Sequence, residues 1–593
     1  MATKKDYVFN RLTNPLLSEY PFFLLSAAMF WQNTLFALRE WTFWGVTQYT
    51  FLSLFYAYLL TILVHSFHSK WLKGLMYAIG IIICFINIYL RLCFSSNISP
   101  NIFQLVFETN SQEASEFLSN YVWQLSTLWL LVLLLVTVAA IIITEKYKHV
   151  IKLSVCWFLN LIPITIITGG LISLLFYTNL FKCKNVIEVD HWVATHGAKA
   201  MDNLSNIIYC IYDIYLCNLE IERAVESTRR VMAERTICEE SDSLNIVLVV
   251  GETYIKWHAS VYGYANNTTP HMQEEYEKGN LFLFQDVVSP YNFTSKTLRN
   301  VFSTNCNSLG ESWADYPYFP TIFRHAGYEV YFWDNQYNPV SREGFDFTLN
   351  AYLHNQIISS MTYTATNRHT CEVDGELVDD FIDNNVSSIG RLNLSVFHLM
   401  GQHVAYYNRF PHGGAFDYFS GDSIRRTDSY LTSEKRQLIA DYDNATRYND
   451  FVVYSIIQHF RQKNSVVIYF SDHGEEVYDY QDFRGRNWKE PITYHLLHYQ
   501  FEVPFMIWCS DTFMNKNPKV VEQIVRAVNR PLMLDNVCHL LFHLGRVQTQ
   551  YYHPERDILN DAYSCPPRIV NDRFSIEDVK SRNNYSDFSK MRE

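Results

Sequence analysis

No block of basic residues, no glycine-rich phosphate loop and no CxxC pair occurs in the 593-residue sequence. The first absence, with a formal net charge of −12, argues against a nucleic-acid partner. The second removes the backbone cradle that nucleotide-binding folds use. The third leaves no thiolate ribbon for a structural metal. Formal charge is also scarce up to about residue 181, where long apolar runs dominate; after residue 240 the chain is mixed and charged like a soluble domain. A mean hydropathy of −0.08 therefore averages two unlike halves.

Five runs approach the roughly 20 apolar residues that cross a bilayer, at 19–38, 48–67, 72–94, 122–144 and 151–181. Gln32 and Asn33 make the first the weakest. The first 20 residues hold no short apolar core followed by a cleavage site, so the first span is expected to do the targeting. Lys4, Lys5 and Arg11, then Lys70 and Lys73, then Lys146, Lys148 and Lys152 mark one side as cytoplasmic, while Glu108, Glu113 and Glu116 mark the other. Five crossings from an inside N-terminus place everything after residue 181 outside the cytoplasm. The expected organisation is a transmembrane domain over 1–181, amphipathic linker helices at the membrane surface over 182–240, and an exported domain over 241–593. Nine of the twelve cysteines fall in the exported part and are free to pair there; their spacing dictates no connectivity.

From residue 244 the pattern is strand, loop, helix, repeated. "LNIVLVVGET", "GYEVYFWDNQ", "LNLSVFHLMGQH" and "SVVIYFSDHGEE" are apolar runs of strand length, each stopping at polar groups. Helical patterns such as "DNATRYNDFVVYSIIQHF" intervene. This alternation predicts an α/β fold with a mostly parallel sheet flanked by helices. Ligands of such sheets bind beyond the carboxyl ends of the strands. Glu252, Asp334, His398 with His403, and Asp472 with His473 are thus directed toward one rim.

A buried strand that ends in Asp472 and His473 either emerges into water or meets a cation, because unpaired buried charge costs several kcal/mol. Glu252, Asp472 and His473 supply two oxygens and a nitrogen, a set that suits Zn²⁺. In "SPYNFTSKTLRNVFS", Thr294 or Ser295 opens a helical pattern. Either hydroxyl is an ordinary helix cap, or a nucleophile placed where backbone N–H groups favour phosphate.

The segments "VVGETYIKWHASVYGYANNTTPHM", "VYFWDNQ", "HLMGQHVAYYNRFP", "YDNATRYNDFV" and "YFSDHGEEVYD" occur in the order seen in bacterial phosphoethanolamine transferases. The sequence resembles that family, which modifies lipid A or lipooligosaccharide, includes colistin-resistance enzymes and belongs to the alkaline phosphatase/sulfatase superfamily. The resemblance implies an N-terminal five-helix transmembrane bundle followed by a periplasmic sulfatase-like domain, multi-pass in the bacterial inner membrane. It implies Glu252, Asp472 and His473 as zinc ligands and Thr294 as nucleophile and further ligand, with Ser295 and Thr297 as alternatives of register. It implies His398, His403 and His498 as substrate-phosphate or second-zinc residues, His495 competing with His498. Thr109 and Glu113, in "VFETNSQEASEFLSNY", match polar residues of the helix that approaches the donor lipid. One catalytic Zn²⁺ is implied and a second left open.

The activity implied is transfer of phosphoethanolamine from phosphatidylethanolamine, through phosphothreonine, to lipid A, a lipooligosaccharide core or another glycan acceptor, by a membrane-embedded monomer. Alternatives are a phosphoglycerol transferase, a sulfatase-like hydrolase, or an inactive membrane sensor. The Cys/Ser-x-Pro-x-Arg context of sulfatases is absent near Thr294. The chain also departs from the family pattern: Asn300 stands where many members have a cysteine that clamps the nucleophile loop, and no cysteine closely precedes Thr294.

Overall fold

The computed structural model describes residues 12–36, 43–94, 97–108, 115, 125–148, 161–196, 201–240, 242–337, 349–385, 390–486 and 493–582. Thr109 and Glu113 lie outside these residues. The chain divides into two compact units, Met1–Leu219 and Glu220–Glu593, and the division falls inside the helix Asn203–Arg230.

In the first unit, four helices among the described residues are long and apolar enough to cross a membrane: Phe43–Phe67, Lys70–Cys93, Thr127–Tyr147 and Leu161–Lys182. This corrects the expectation of five. The first expected span appears as the helix Tyr20–Phe36, only 17 residues, about 25 Å at 1.5 Å per residue against a hydrocarbon core of about 30 Å. Its polar residues are engaged inside the unit. Asn33 donates to the Met201 carbonyl at 2.8 Å and accepts from Arg91 at 2.7 Å. Asn203 donates to the Met29 carbonyl and to Gln32. Side-chain amides on apolar helices are retained where they satisfy such partners.

The second unit is built on a seven-stranded sheet. Its strands are β1 (Leu244–Gly251), β2 (Leu281–Leu283), β3 (Glu329–Asp334), β4 (Ala365–Thr366), β5 (Leu392–His398), β6 (Ser465–Ser471) and β7 (Phe505–Cys509). In space they run β2-β7-β6-β1-β5-β3-β4. β6, β1, β5, β3 and β4 are mutually parallel, whereas β7 is antiparallel to both neighbours. The sheet is therefore mixed but mostly parallel, as expected: β7 alone runs against the other six strands. β7 is the second strand from one edge, between β2 and β6, and an antiparallel neighbour needs no parallel crossover.

Alternate residues serve two cores, as the strand period of two requires. Ile246, Leu248, Val250, Ile468 and Phe470 enter one; Val247, Val249, Val467 and Tyr469 enter the other. The long helix Ser433–Phe460 lies over the second face through Ala445, Val452, Val453 and Ile456. It starts where the Thr432 side chain accepts from the Lys435 N–H, an ordinary cap.

Candidate active site

Strand register places the candidate ligands. Gly251 of β1 pairs with Ser471 of β6, so Glu252 and Asp472 are the next residue on each strand. The Asp472 N–H continues the ladder to the Gly251 carbonyl at 3.0 Å. His398 at the end of β5 pairs with Val250 on one side and Asp334 on the other. Thr253 then adopts φ 58°, a left-handed turn, and its N–H donates to Asp472 Oδ1 at 3.2 Å.

Glu252, Asp472 and His473 form a fully buried group whose donor atoms lie within 4.8 Å of one another. His473 Nε2 is 3.4 Å from Glu252 Oε1 and 3.2 Å from Asp472 Oδ2. The Thr294 hydroxyl donates to Glu252 Oε2 at 2.9 Å and is 3.3 Å from His473 Nε2. Two ligands of one tetrahedral zinc, each about 2.0–2.1 Å from the ion, are about 3.3 Å apart, so the spacing fits a single small cation. The orientation fits too. His473 Nδ1 donates to the Gly474 carbonyl at 2.8 Å, which turns the Nε2 lone pair toward the carboxylates. Asp472 Oδ2 is buried without a hydrogen-bond partner, the atom a cation would satisfy.

The electrostatics of the group suit a bound cation. Burial, then the adjacent Glu252, drive the Asp472 pKa far above its ordinary value. Burial also opposes ionisation of Glu252, yet His473, His403 and Arg486 hold its pKa well below the usual carboxylate range. Burial and Arg486 lower His473 to about 3, leaving it neutral and able to ligate.

Thr294 is the first residue of a nine-residue helix, Thr294–Phe302, and the extended Phe293 precedes it at the cap position. It is not itself the cap. Of the alternatives of register, Thr297 is buried and donates to the Tyr291 carbonyl at 3.0 Å, and Ser295 is buried beside it. The loop before the helix is held without a disulfide. Tyr291 OH donates to Asp572 Oδ1, the Asn571 N–H donates to the Pro290 carbonyl, and Asn292 donates to Gln500 Oε1 at 2.9 Å. Cys306, which follows the helix, is a free thiol, and Asn300 accepts from Asn305.

His398 is buried at the end of β5, and His403 is half-buried in the turn that follows. His398 Nδ1 bonds Asp334 Oδ1 at 2.8 Å, and His354 bonds the other Asp334 oxygen at 2.7 Å. His398 Nε2 and His403 Nδ1 have no hydrogen-bond partner. Burial works against a charged His398, but Asp334 raises its pKa above the ordinary value. Burial lowers His403 to about 4. His498 pairs with Glu502 at 3.1 Å and stacks on Trp257 with ring centroids 4.2 Å apart. His495 stacks on Tyr480.

Three polar residues of the site were not singled out from the sequence. Gln336 bridges Glu252 Oε2 and the Leu399 carbonyl at 3.2 and 2.8 Å. His354 completes the Asp334 pair. Arg486 Nη1 lies 2.7 Å from His473 Nε2. Only Gln336, two residues beyond the end of β3, carried a sequence signal.

The profile of the sulfatase family matches residues 244–531. The phosphoethanolamine transferase EptC of Escherichia coli K12 is 25% identical over 511 residues, 82% of this chain and 81% of that protein. The crystal structure of the C-terminal periplasmic domain of E. coli EptC superposes with a TM-score of 0.51 at 26% identity, over 60% of this chain and 97% of that one. The integral membrane lipooligosaccharide phosphoethanolamine transferase EptA of Neisseria meningitidis shares the fold across 92% of this chain and 97% of its own, with a TM-score of 0.59 at 18% identity. Residues 244–531 are a sulfatase-family domain, and the chain that carries it is a homologue of phosphoethanolamine transferases.

Proposed function

We propose that the chain is a zinc-dependent phosphoethanolamine transferase of the bacterial inner membrane. Its donor is phosphatidylethanolamine, its acceptor is lipid A or a related glycolipid, and residues 241–593 work in the periplasm. The reading rests above all on the Thr294 hydroxyl, 2.9 Å from Glu252 within the Glu252, Asp472 and His473 group. Apolar helices in the same chain suit substrates that leave a bilayer only at high cost.

Glu252, Asp472, His473 and Thr294 would hold the ion. What a bound Zn²⁺ supplies is Lewis acidity, which lowers the pKa of a coordinated hydroxyl. The Thr294 proton is directed at Glu252 Oε2, and the freed oxygen attacks the lipid phosphorus. The bond from phosphorus to the glycerol oxygen breaks, diacylglycerol leaves with a proton, and phosphoethanolamine stays on Thr294. An acceptor oxygen then attacks the same phosphorus, loses its proton and returns Thr294 to the hydroxyl. His398, kept prone to protonation by Asp334, suits donation to the leaving oxygen; His403, kept neutral by burial, suits acceptance from the incoming one. In the first step charge builds on phosphate oxygens, where the N–H groups opening Thr294–Phe302 favour it.

The test is intact-protein mass spectrometry of the Zn²⁺-loaded chain after incubation with phosphatidylethanolamine, with phosphatidylglycerol as a parallel donor. One phosphoethanolamine on Thr294 is expected. A phosphoglycerol adduct alone would reassign the donor, and no adduct from either lipid would remove the covalent mechanism.

A further inference from the structure

Arg486 reaches the site by a route the strands do not explain. After Asp472 and His473 the chain makes a small antiparallel hairpin, in which Glu476 and Val477 pair with Gly485 and Arg484. Gly485 has φ 112°, a conformation that disfavours a side chain. The chain thereby folds back on its own ligand turn and delivers the next residue, Arg486, to His473.

There the guanidinium Nη1 is 2.7 Å from His473 Nε2 and 3.3 Å from the Asn292 carbonyl, and it lies over the Phe293 ring at 5.3 Å. Because His473 Nδ1 donates to Gly474, Nε2 is the acceptor and Arg486 the donor. The arginine thus occupies the lone pair that a metal ion would need. Its other two contacts, Asn292 and Phe293, are the residues directly before Thr294. Arg409, the other guanidinium that bears on His403, is turned to the carbonyls of His403 and Val404.

Charge balance says what such a cation is for. Two carboxylates and one divalent ion sum to zero, so a phosphodiester anion gains nothing from net charge at the metal group alone. Phosphoryl transfer places further negative charge on the non-bridging oxygens, and a planar guanidinium with five N–H donors matches them in pairs. We propose that Arg486 is a two-position phosphate clamp: it caps His473 Nε2 when no cation is bound, and it turns to the non-bridging oxygens of the phosphoryl group on Thr294 once a divalent ion takes that lone pair. This rests on the transferase reading for the identity of the phosphoryl group, but not for the exchange with the metal.

The experiment compares the full chain with Arg486→Ala and Arg486→Lys by three measurements. They are Zn²⁺ affinity by competition with a chromophoric chelator, inorganic phosphate affinity of the Zn²⁺-loaded chain, and the rate of Thr294 labelling by phosphatidylethanolamine. Arg486→Ala is expected to bind Zn²⁺ several-fold more tightly, because a competing cation is gone. It should bind phosphate at least about 10-fold more weakly and label about 100-fold more slowly. Arg486→Lys should recover part of both losses. A merely structural role would weaken all three together, and that outcome overturns the proposal, as does wild-type labelling or phosphate binding in Arg486→Ala. If the wild type binds Zn²⁺ and phosphate but is never labelled, the transferase reading fails while the opposed shifts in zinc and phosphate affinity still decide the clamp.

Discussion

The Thr294 hydroxyl donates to Glu252 Oε2 at 2.9 Å across 42 positions of sequence. Thr294→Ala is expected to abolish the lipid-derived adduct and lower turnover by at least about 1000-fold, the scale seen when a covalent nucleophile is removed. Thr294→Ser should keep a measurable fraction, and Thr297→Ala should still label at position 294. A label that moves to Ser295 would instead show that the neighbouring hydroxyl attacks.

Metal dependence should follow the buried donor set. Chelation is expected to silence the enzyme, and added Zn²⁺ to restore it. Asp472→Asn keeps the shape but removes the charge, so metal analysis of the purified variant should find at least about 10-fold weaker binding; Glu252→Gln and His473→Ala should behave alike. Full zinc content in all three variants would disqualify the group as the metal site.

Gly474 is a packing constraint. A Cβ there would stand 2.1 Å from the Tyr499 carbonyl oxygen, which is backbone and cannot swing aside. Gly474→Ala should cost about 1–3 kcal/mol as overpacking, and it should weaken zinc binding because the shifted atoms adjoin His473. A melting midpoint within a degree of wild type would refute this.

A buried ion triad predicts a pH dependence of stability. His258 bonds Asp443 through Nδ1 at 2.8 Å and Asp479 through Nε2 at 2.9 Å. Burial alone would lower its pKa, but the carboxylates of Asp479 and Asp443 raise it to about 9. A folded pKa above the unfolded value of about 6.5 means stabilisation that is complete below about pH 6.5 and lost as pH rises through about 9. The size is on the order of 3 kcal/mol. Melting of the full chain in detergent from pH 6 to 9.5 should therefore show a decline that His258→Gln flattens. Equal slopes in both proteins would contradict the assignment.

The parts of the site that lay on parallel strands were legible in the sequence, because continuous apolar runs make both the strand and its polar end visible. Glu252, Asp334, His398, Asp472 and His473 belong to this class. β7 is a five-residue apolar run whose direction nothing in the sequence discloses, so its antiparallel pairing stayed hidden. Arg486 was hidden for a different reason: it arrives by a short polar hairpin, where periodicity is silent and only register brings it back to His473. His498 was named by the family resemblance alone; the helix Tyr494–Gln500 holds it against Glu502 and Trp257.

Because Gly251 and Ser471 are register partners, the separation of the two metal-group carboxylates is inherited from the ladder and owes nothing to the 219 positions between them in the chain. Inserting one residue within either strand would swing its acid to the opposite face of the sheet. Insertions of any length between the strands leave the pair untouched, so new acceptor specificities can be grafted onto the connecting loops without retuning the chemistry.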